Sequence, residues 1–242
     1  MNGIKAVGLT KRYKDVIAVN DINFDIRMGE LFALLGVNGA GKTTTIRMLS
    51  CLTRPSRGDA LVGEYSVVKE PQEVKRMIGV SPQETAVAPN LSARENLELI
   101  CGIHGFTHEK TNTKINELAE LFDLGPVLKR KAGKLSGGWQ RRLSIAMALI
   151  SEPSVLFLDE PTLGLDVIAR HELWDAIRLL KGKVTIILTT HYMEEAEALS
   201  DRIGIMKNGK LLATGTAKEL TRVAGADNFE AAFVSIVREG EV

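Results

Sequence analysis

The sequence predicts an α/β protein: a mostly parallel core, an antiparallel β flank ahead of it and a helical segment inserted within it. Three observations carry this. The runs "LFALL" at 31–35 and "VLFL" at 155–158 are unbroken apolar stretches of strand length, and "VTIIL" at 184–188 is apolar but for Thr185, all in the style of parallel strands buried on both faces. A glycine-rich loop leads from the first of these runs straight into a helix-forming stretch. Between about 85 and 150 the apolar spacing changes to a helical period. The expected organisation is one domain over 1–242. The β flank and the start of the core occupy 1–84, the helical insertion 85–150, and the completed core with a C-terminal hairpin and helix 151–242.

The elements follow in order. "INFDI" alternates Ile22, Phe24 and Ile26 with polar neighbours, the period of a half-buried strand. After the glycine loop, "KTTTIRMLSCL" places Ile46, Leu49 and Leu52 at helical spacing. In "SARE", Ser92 precedes Glu95 by three residues, a capping box that opens the helix "NLELICGI". "INELAELF" puts Ile115, Leu118 and Phe122 on one face, and "ARHELWDAIRLL" does the same with Leu173, Ile177 and Leu180. "RIGIMKNGKLLATG" reads as a hairpin closed by Asn208-Gly209, and the tail repeats Phe229, Ala232, Phe233, Ile236 and Val237 at helical spacing.

Composition excludes several classes. The chain has 242 residues, 31 basic against 30 acidic, and no block of like charge, so nucleic acid is not an expected partner. Cys51 and Cys101 have neither metal-like nor paired spacing and read as reduced thiols. His104 and His108 are four apart, but Gly102 and Gly105 argue against one helix presenting both to a metal. His171 is expected on a solvated helix face. No apolar run approaches the roughly 18 residues of a membrane span, and no leader is evident at the N-terminus. Any work at a membrane would need another polypeptide to hold this chain there.

The chemistry starts at "GVNGAGKTTT". Gly36, Gly39 and Gly41, with Lys42 and Thr43, form a phosphate-loop pattern in which backbone N–H groups and a helix N-terminus surround phosphate oxygens. Asn38, Ala40 and Thr44 belong to the same candidate ATP-binding loop. Lys42 is suited to the β- and γ-phosphates and the Thr43 hydroxyl to Mg²⁺. "VLFLDEP" places Asp159 and Glu160 at the carboxyl end of a buried strand, where ligands sit in open α/β sheets. Asp159 suits a Mg²⁺ contact, and Glu160 suits a general base that polarises water toward the γ-phosphate.

To this point a kinase or a GTPase would also fit. "LSGGWQRRL", however, resembles the signature of ATP-binding cassette (ABC) ATPases, as do "EPTLGLD" and "TTH". The resemblance runs from about residue 4 to 220 in the family's motif order. It implies a RecA-like core. It implies roles for Tyr13 beneath the adenine and for Gln83 as the Q-loop glutamine toward Mg²⁺ and the γ-phosphate. Asp166 becomes the D-loop acid and His191 the switch histidine. Leu135, Ser136, Gly137, Gly138 and Trp139 become the signature that grips ATP bound to a partner cassette. Trp139 departs from the family, which often has Gln there. The anion contacts would come from the Ser136 hydroxyl and backbone N–H groups, which a tryptophan leaves intact.

The resemblance implies the ATPase subunit of a membrane transporter, an exporter by its likeness to stand-alone drug, ion or lipid-linked-sugar subunits. It would act at the cytoplasmic face with ATP and Mg²⁺, as a homodimer or paired with a related ATPase, beside a separate membrane-spanning protein docked near residues 83–106. The alternative is a soluble cassette for another task, such as iron–sulfur cluster assembly. Coiled-coil DNA-repair cassettes are disfavoured, because only about ninety residues separate Lys42 from Ser136.

Overall fold

In the computed structural model, which describes residues 2–239, two sheets share a layer of core. The chain opens with two long strands, β1 (Asn2–Tyr13) and β2 (Val16–Arg27), then enters β3 (Leu31–Leu35) and helix α1 (Lys42–Leu49). Next come β4 (Arg57–Val62), β5 (Tyr65–Ser66), α2 (Pro71–Met77) and β6 (Ile78–Ser81). The helical insertion holds α3 (Ala93–Ile103), α4 (His108–Leu121) and α5 (Gly137–Ala148). The chain returns through β7 (Val155–Asp159), α6 (Val167–Arg178), β8 (Thr185–Thr190) and α7 (Met193–Leu199). It finishes with β9 (Arg202–Lys207), β10 (Lys210–Gly215), α8 (Ala217–Val223) and α9 (Phe229–Glu239).

The larger sheet has the order β10-β9-β3-β8-β7-β6, parallel except for β10, and the smaller is the antiparallel set β2-β1-β4-β5. The expected architecture of parallel core, antiparallel flank and helical insertion is therefore what the chain adopts. Alternation within β3 explains how the layers meet. Leu31, Ala33 and Leu35 face a core built with the insertion helices and with α6 to α9. Phe32 and Leu34 face the other way, into a core shared with α1 and the antiparallel sheet. Phe32 and Phe24 stack across it with ring centroids 5.9 Å apart.

Local chemistry sets the element ends. Ser92 and Glu95 form the capping box that starts α3. Asn208 and Gly209 both have positive φ, the geometry a two-residue hairpin turn demands. One expectation is corrected: α1 does not continue to Leu52, which is two-thirds exposed. The Ser50 hydroxyl turns back to the Ile46 carbonyl, Cys51 adopts a left-handed φ of 57°, and Leu52 N–H reaches the Arg47 carbonyl, closing the helix. His104 and His108 lie at the end of one helix and the start of the next, and His108 Nε2 pairs with Asn112. His171 is exposed, edge-on to Trp174.

Candidate nucleotide site

The site lies at the carboxyl ends of three neighbouring parallel strands. Because β8 runs between β3 and β7, the loop after β3, the acids ending β7 and the histidine after β8 converge. Asp159 sits in register with Thr189, and Leu35 with Thr190.

The glycine loop is shaped by close approach. A Cβ on Gly36 would lie 2.3 Å from the Met206 carbonyl oxygen, and one on Gly41, where φ is 103°, would lie 2.5 Å from that of Ala18. The hairpin turn braces the loop from outside, with Gly209 N–H donating to the Ala40 carbonyl. At the head of α1 no side chain caps the N-terminus and no acid occupies the first turn, so its N–H groups and positive end face outward. They border a cleft of about 410 Å³ lined by Ala18, by 38–44, and by Gln83 and Glu160. Lys42, buried, donates to the carbonyls of Gly36 at 2.7 Å and Val37 at 3.3 Å, and lies 3.3 Å from Glu160 Oε1.

The two acids are held differently. Asp159 Oδ1 accepts from the Thr43 hydroxyl at 3.0 Å and from that of Thr189 at 2.6 Å. Glu160 adopts a left-handed φ of 49°, a conformation of order 1–3 kcal/mol uphill for a non-glycine residue. Its N–H is fixed by the carbonyl and hydroxyl of Thr189, and its carboxylate by two bases, Lys42 on Oε1 and His191 Nδ1 at 2.6 Å from Oε2. Hard oxygens from Thr43 and Asp159 converge beside a phosphate-shaped loop, a donor set that fits Mg²⁺ completed by phosphate and water.

The remaining predicted residues lie elsewhere. Tyr13 ends β1, 43% exposed, with Lys11 Nζ 5.0 Å from its ring centre; it is not part of the cleft lining. Asp166 caps α6 by accepting from Ala169 N–H. Leu135 to Trp139 stand outside the cleft, with Leu135 and Ser136 leading into α5 and Gly137 to Trp139 opening it. Ser136 is its N-cap, yet it makes no side-chain cap bond, and no acid occupies the first turn. By contrast Ser92, Thr107, Asp166 and Thr216 all use their side chains to cap their helices. Gly138 packs closely on α6, where an added Cβ would meet Ala169 Cβ at 3.2 Å. The Trp139 ring folds back on its own chain, under the Arg142 guanidinium at 4.8 Å.

Three contributors escaped the sequence reading. Thr189 bridges both acids. Arg141, buried in α5, donates to the carbonyls of Pro82 and Gln83. Glu195, wholly buried in α7, accepts from Trp174 Nε1 at 3.1 Å, and burial pushes its carboxyl above the ordinary glutamate value. Arg141 and Thr189 lie within the quoted "LSGGWQRRL" and "TTH" stretches, but their partners are distant in sequence, and Glu195 belongs to no motif, so only the fold reveals what each one holds.

A glycine loop, an inward lysine and paired carboxylates on a parallel sheet define a phosphate-loop nucleotide hydrolase. A family model described as ABC transporter matches residues 19–163, and the chain belongs to that family as one of its ATP-binding, ATP-hydrolysing cassettes. It is 42% identical over 224 residues to the daunorubicin resistance ATP-binding protein DrrA3 of Streptomyces coeruleorubidus, covering 92% of this chain and 71% of that one. It is 39% identical over 237 residues to the linearmycin resistance ATP-binding protein LnrL of Bacillus subtilis, covering 98% and 76%. Among solved structures, the ATP-binding subunit of an ABC transporter matches with a TM-score of 0.85 at 29% identity, covering 96% and 98%. The dimeric post-hydrolysis cassette MJ0796 bound to ADP and Pi matches at 0.80 and 26%, covering 88% and 98%.

Proposed function

We propose that this chain is the ATPase subunit of an exporter, in which two cassettes close face to face around two MgATP. The relatives named for daunorubicin and linearmycin resistance support export of drug-like compounds. No helix among the described residues is long and apolar enough to cross a membrane, so the transport path is assigned to a separate membrane-spanning subunit. That subunit would dock near residues 83–106 and hold this chain at the cytoplasmic face.

The observation that carries the two-cassette reading is that α1 and α5 each present an N-terminus with neither a side-chain cap nor an acid in the first turn. That of α1 borders the cleft; that of α5, with the unused Ser136 hydroxyl, stands outside it. A two-fold pair gives each signature end a second anion, the nucleotide in the opposite cleft. Gly36 to Thr44 wrap the phosphates, with Lys42 on the β- and γ-oxygens, and Tyr13 stacks under the adenine. Thr43, Gln83 and Asp159 would hold Mg²⁺, which would neutralise charge on the phosphates. Glu160 takes the proton of the attacking water, oriented by His191, and Asp166 meets the partner across the interface. The serine and N–H groups of Ser136 to Gly138 complete the opposite site.

Glu160→Gln tests this. The variant is expected to bind ATP, stop hydrolysing and sediment as a stable dimer with ATP and Mg²⁺. A variant that stays monomeric, together with a wild type whose turnover per molecule is independent of protein concentration, would rule the reading out.

A further inference from the structure

The segment bearing Gln83 is bonded to α5 at four points. The hydroxyls of Ser81 and Ser144 pair at 3.0 Å. Arg141 Nη1 donates to the Pro82 carbonyl at 2.6 Å and Nη2 to that of Gln83 at 2.5 Å. The Thr85 hydroxyl donates to Gln140 Oε1 at 3.4 Å, and Gln140 Nε2 reaches back to the carbonyls of Ala132 and Leu135, just ahead of Ser136.

Arg141 stands out among these. It is 5% exposed, and a guanidinium is costly to bury unless its donors are satisfied. Its planar fork spans two consecutive carbonyls, a geometry an ammonium cannot reproduce. Its charge also faces the carboxylates of Asp159 and Glu195. Along α5 it lies about 7.5 Å from Ser136, on the same rigid helix. Gln83 lines the cleft and Ser136 does not, so Arg141 connects the two.

We propose that Arg141 is a positioning residue that makes the Gln83 segment and the signature end of α5 move as one body. Nucleotide contacts at Gln83 thereby set the angle at which Ser136 to Gly138 meet the opposite cassette. Arg141 touches no nucleotide itself. This rests on the two-cassette reading above.

The test is a double-mutant cycle in the Glu160→Gln background, reading ATP-driven dimerisation by analytical ultracentrifugation. Gln83→Ala and Arg141→Lys are each expected to weaken the dimer at least tenfold, while the two together weaken it no further than either alone. Arg141→Lys should bind a fluorescent ATP analogue as monomer within twofold of the parent, a split that general loss of structure would not give. Arg141→Gln, which keeps a donor without a buried charge, should show the same non-additivity. Losses that multiply, or an Arg141→Lys dimer as tight as its parent, overturn the coupling and leave the two-cassette reading intact. Failure of Glu160→Gln alone to dimerise overturns both.

Discussion

His191 Nδ1 lies 2.6 Å from Glu160 Oε2, a contact between residues 31 apart in sequence that joins the ends of adjacent strands. An ionised carboxylate only accepts, so Nδ1 carries the proton and Nε2 is left as the free face of the ring. The bond therefore orients the base and the imidazole together. We predict that His191→Ala lowers kcat on the order of 10²-fold, the scale of a lost acid–base partner, with KM for ATP little changed. Steady-state kinetics decide it, and an unaltered kcat would remove His191 from the mechanism.

The Thr43 hydroxyl and Asp159 carboxylate, 3.0 Å apart, offer hard oxygens of the kind Mg²⁺ prefers. Asp159→Asn keeps the shape and removes the charge. The Mg²⁺ concentration for half-maximal turnover should rise at least tenfold, and nucleotide binding in EDTA should match the wild type. A magnesium titration of turnover separates this from general damage, because a merely misfolded site would lose both.

How far these positions were readable depends on whether their chemistry is local. Lys42, Asp159 and Glu160 were legible because a glycine spacing and a strand end are written in consecutive residues. The Thr189 bridge was not, since it exists only because β8 inserts between β3 and β7, and strand order has no local code. Arg141 was hidden for the same reason: its acceptors lie 58 and 59 residues away. Leu52 was misread because a serine bond and a left-handed cysteine end α1, where periodicity alone predicts another turn. Strands β4 to β6 are short and poorly patterned, and only the pairing of β4 with β1, of β5 with β4 and of β6 with β7 makes them strands.

Trp139 replaces the glutamine common at its position, and its ring packs under the Arg142 guanidinium, which also donates to the Phe122 carbonyl and pairs with Glu172. The side chain is committed to its own subunit. Trp139→Gln is therefore expected to change turnover less than tenfold while removing a cation–π contact of about 0.5–1 kcal/mol. That corresponds to a fall in Tm of about 1–4 °C for a chain of this size. Turnover and thermal melting measured together are the check; a rise above tenfold would mean the signature is partly degraded.

Glu195 is fully buried in α7, and desolvation, reinforced by the charge of Glu160, raises its carboxyl above the ordinary 4.5. The folded state thus binds the proton more tightly than the unfolded chain. Stability from this group is fully present below pH 4.5 and is lost as pH rises through the elevated folded value. Glu195→Gln keeps an oxygen to accept from Trp174 Nε1 and has no charge to bury. Its Tm should equal the wild type's at the acid end of the accessible range and exceed it increasingly toward neutral pH. Melting curves at a series of pH values test the sign, and a wild type that gains on the variant as pH rises would show that Glu195 is held ionised.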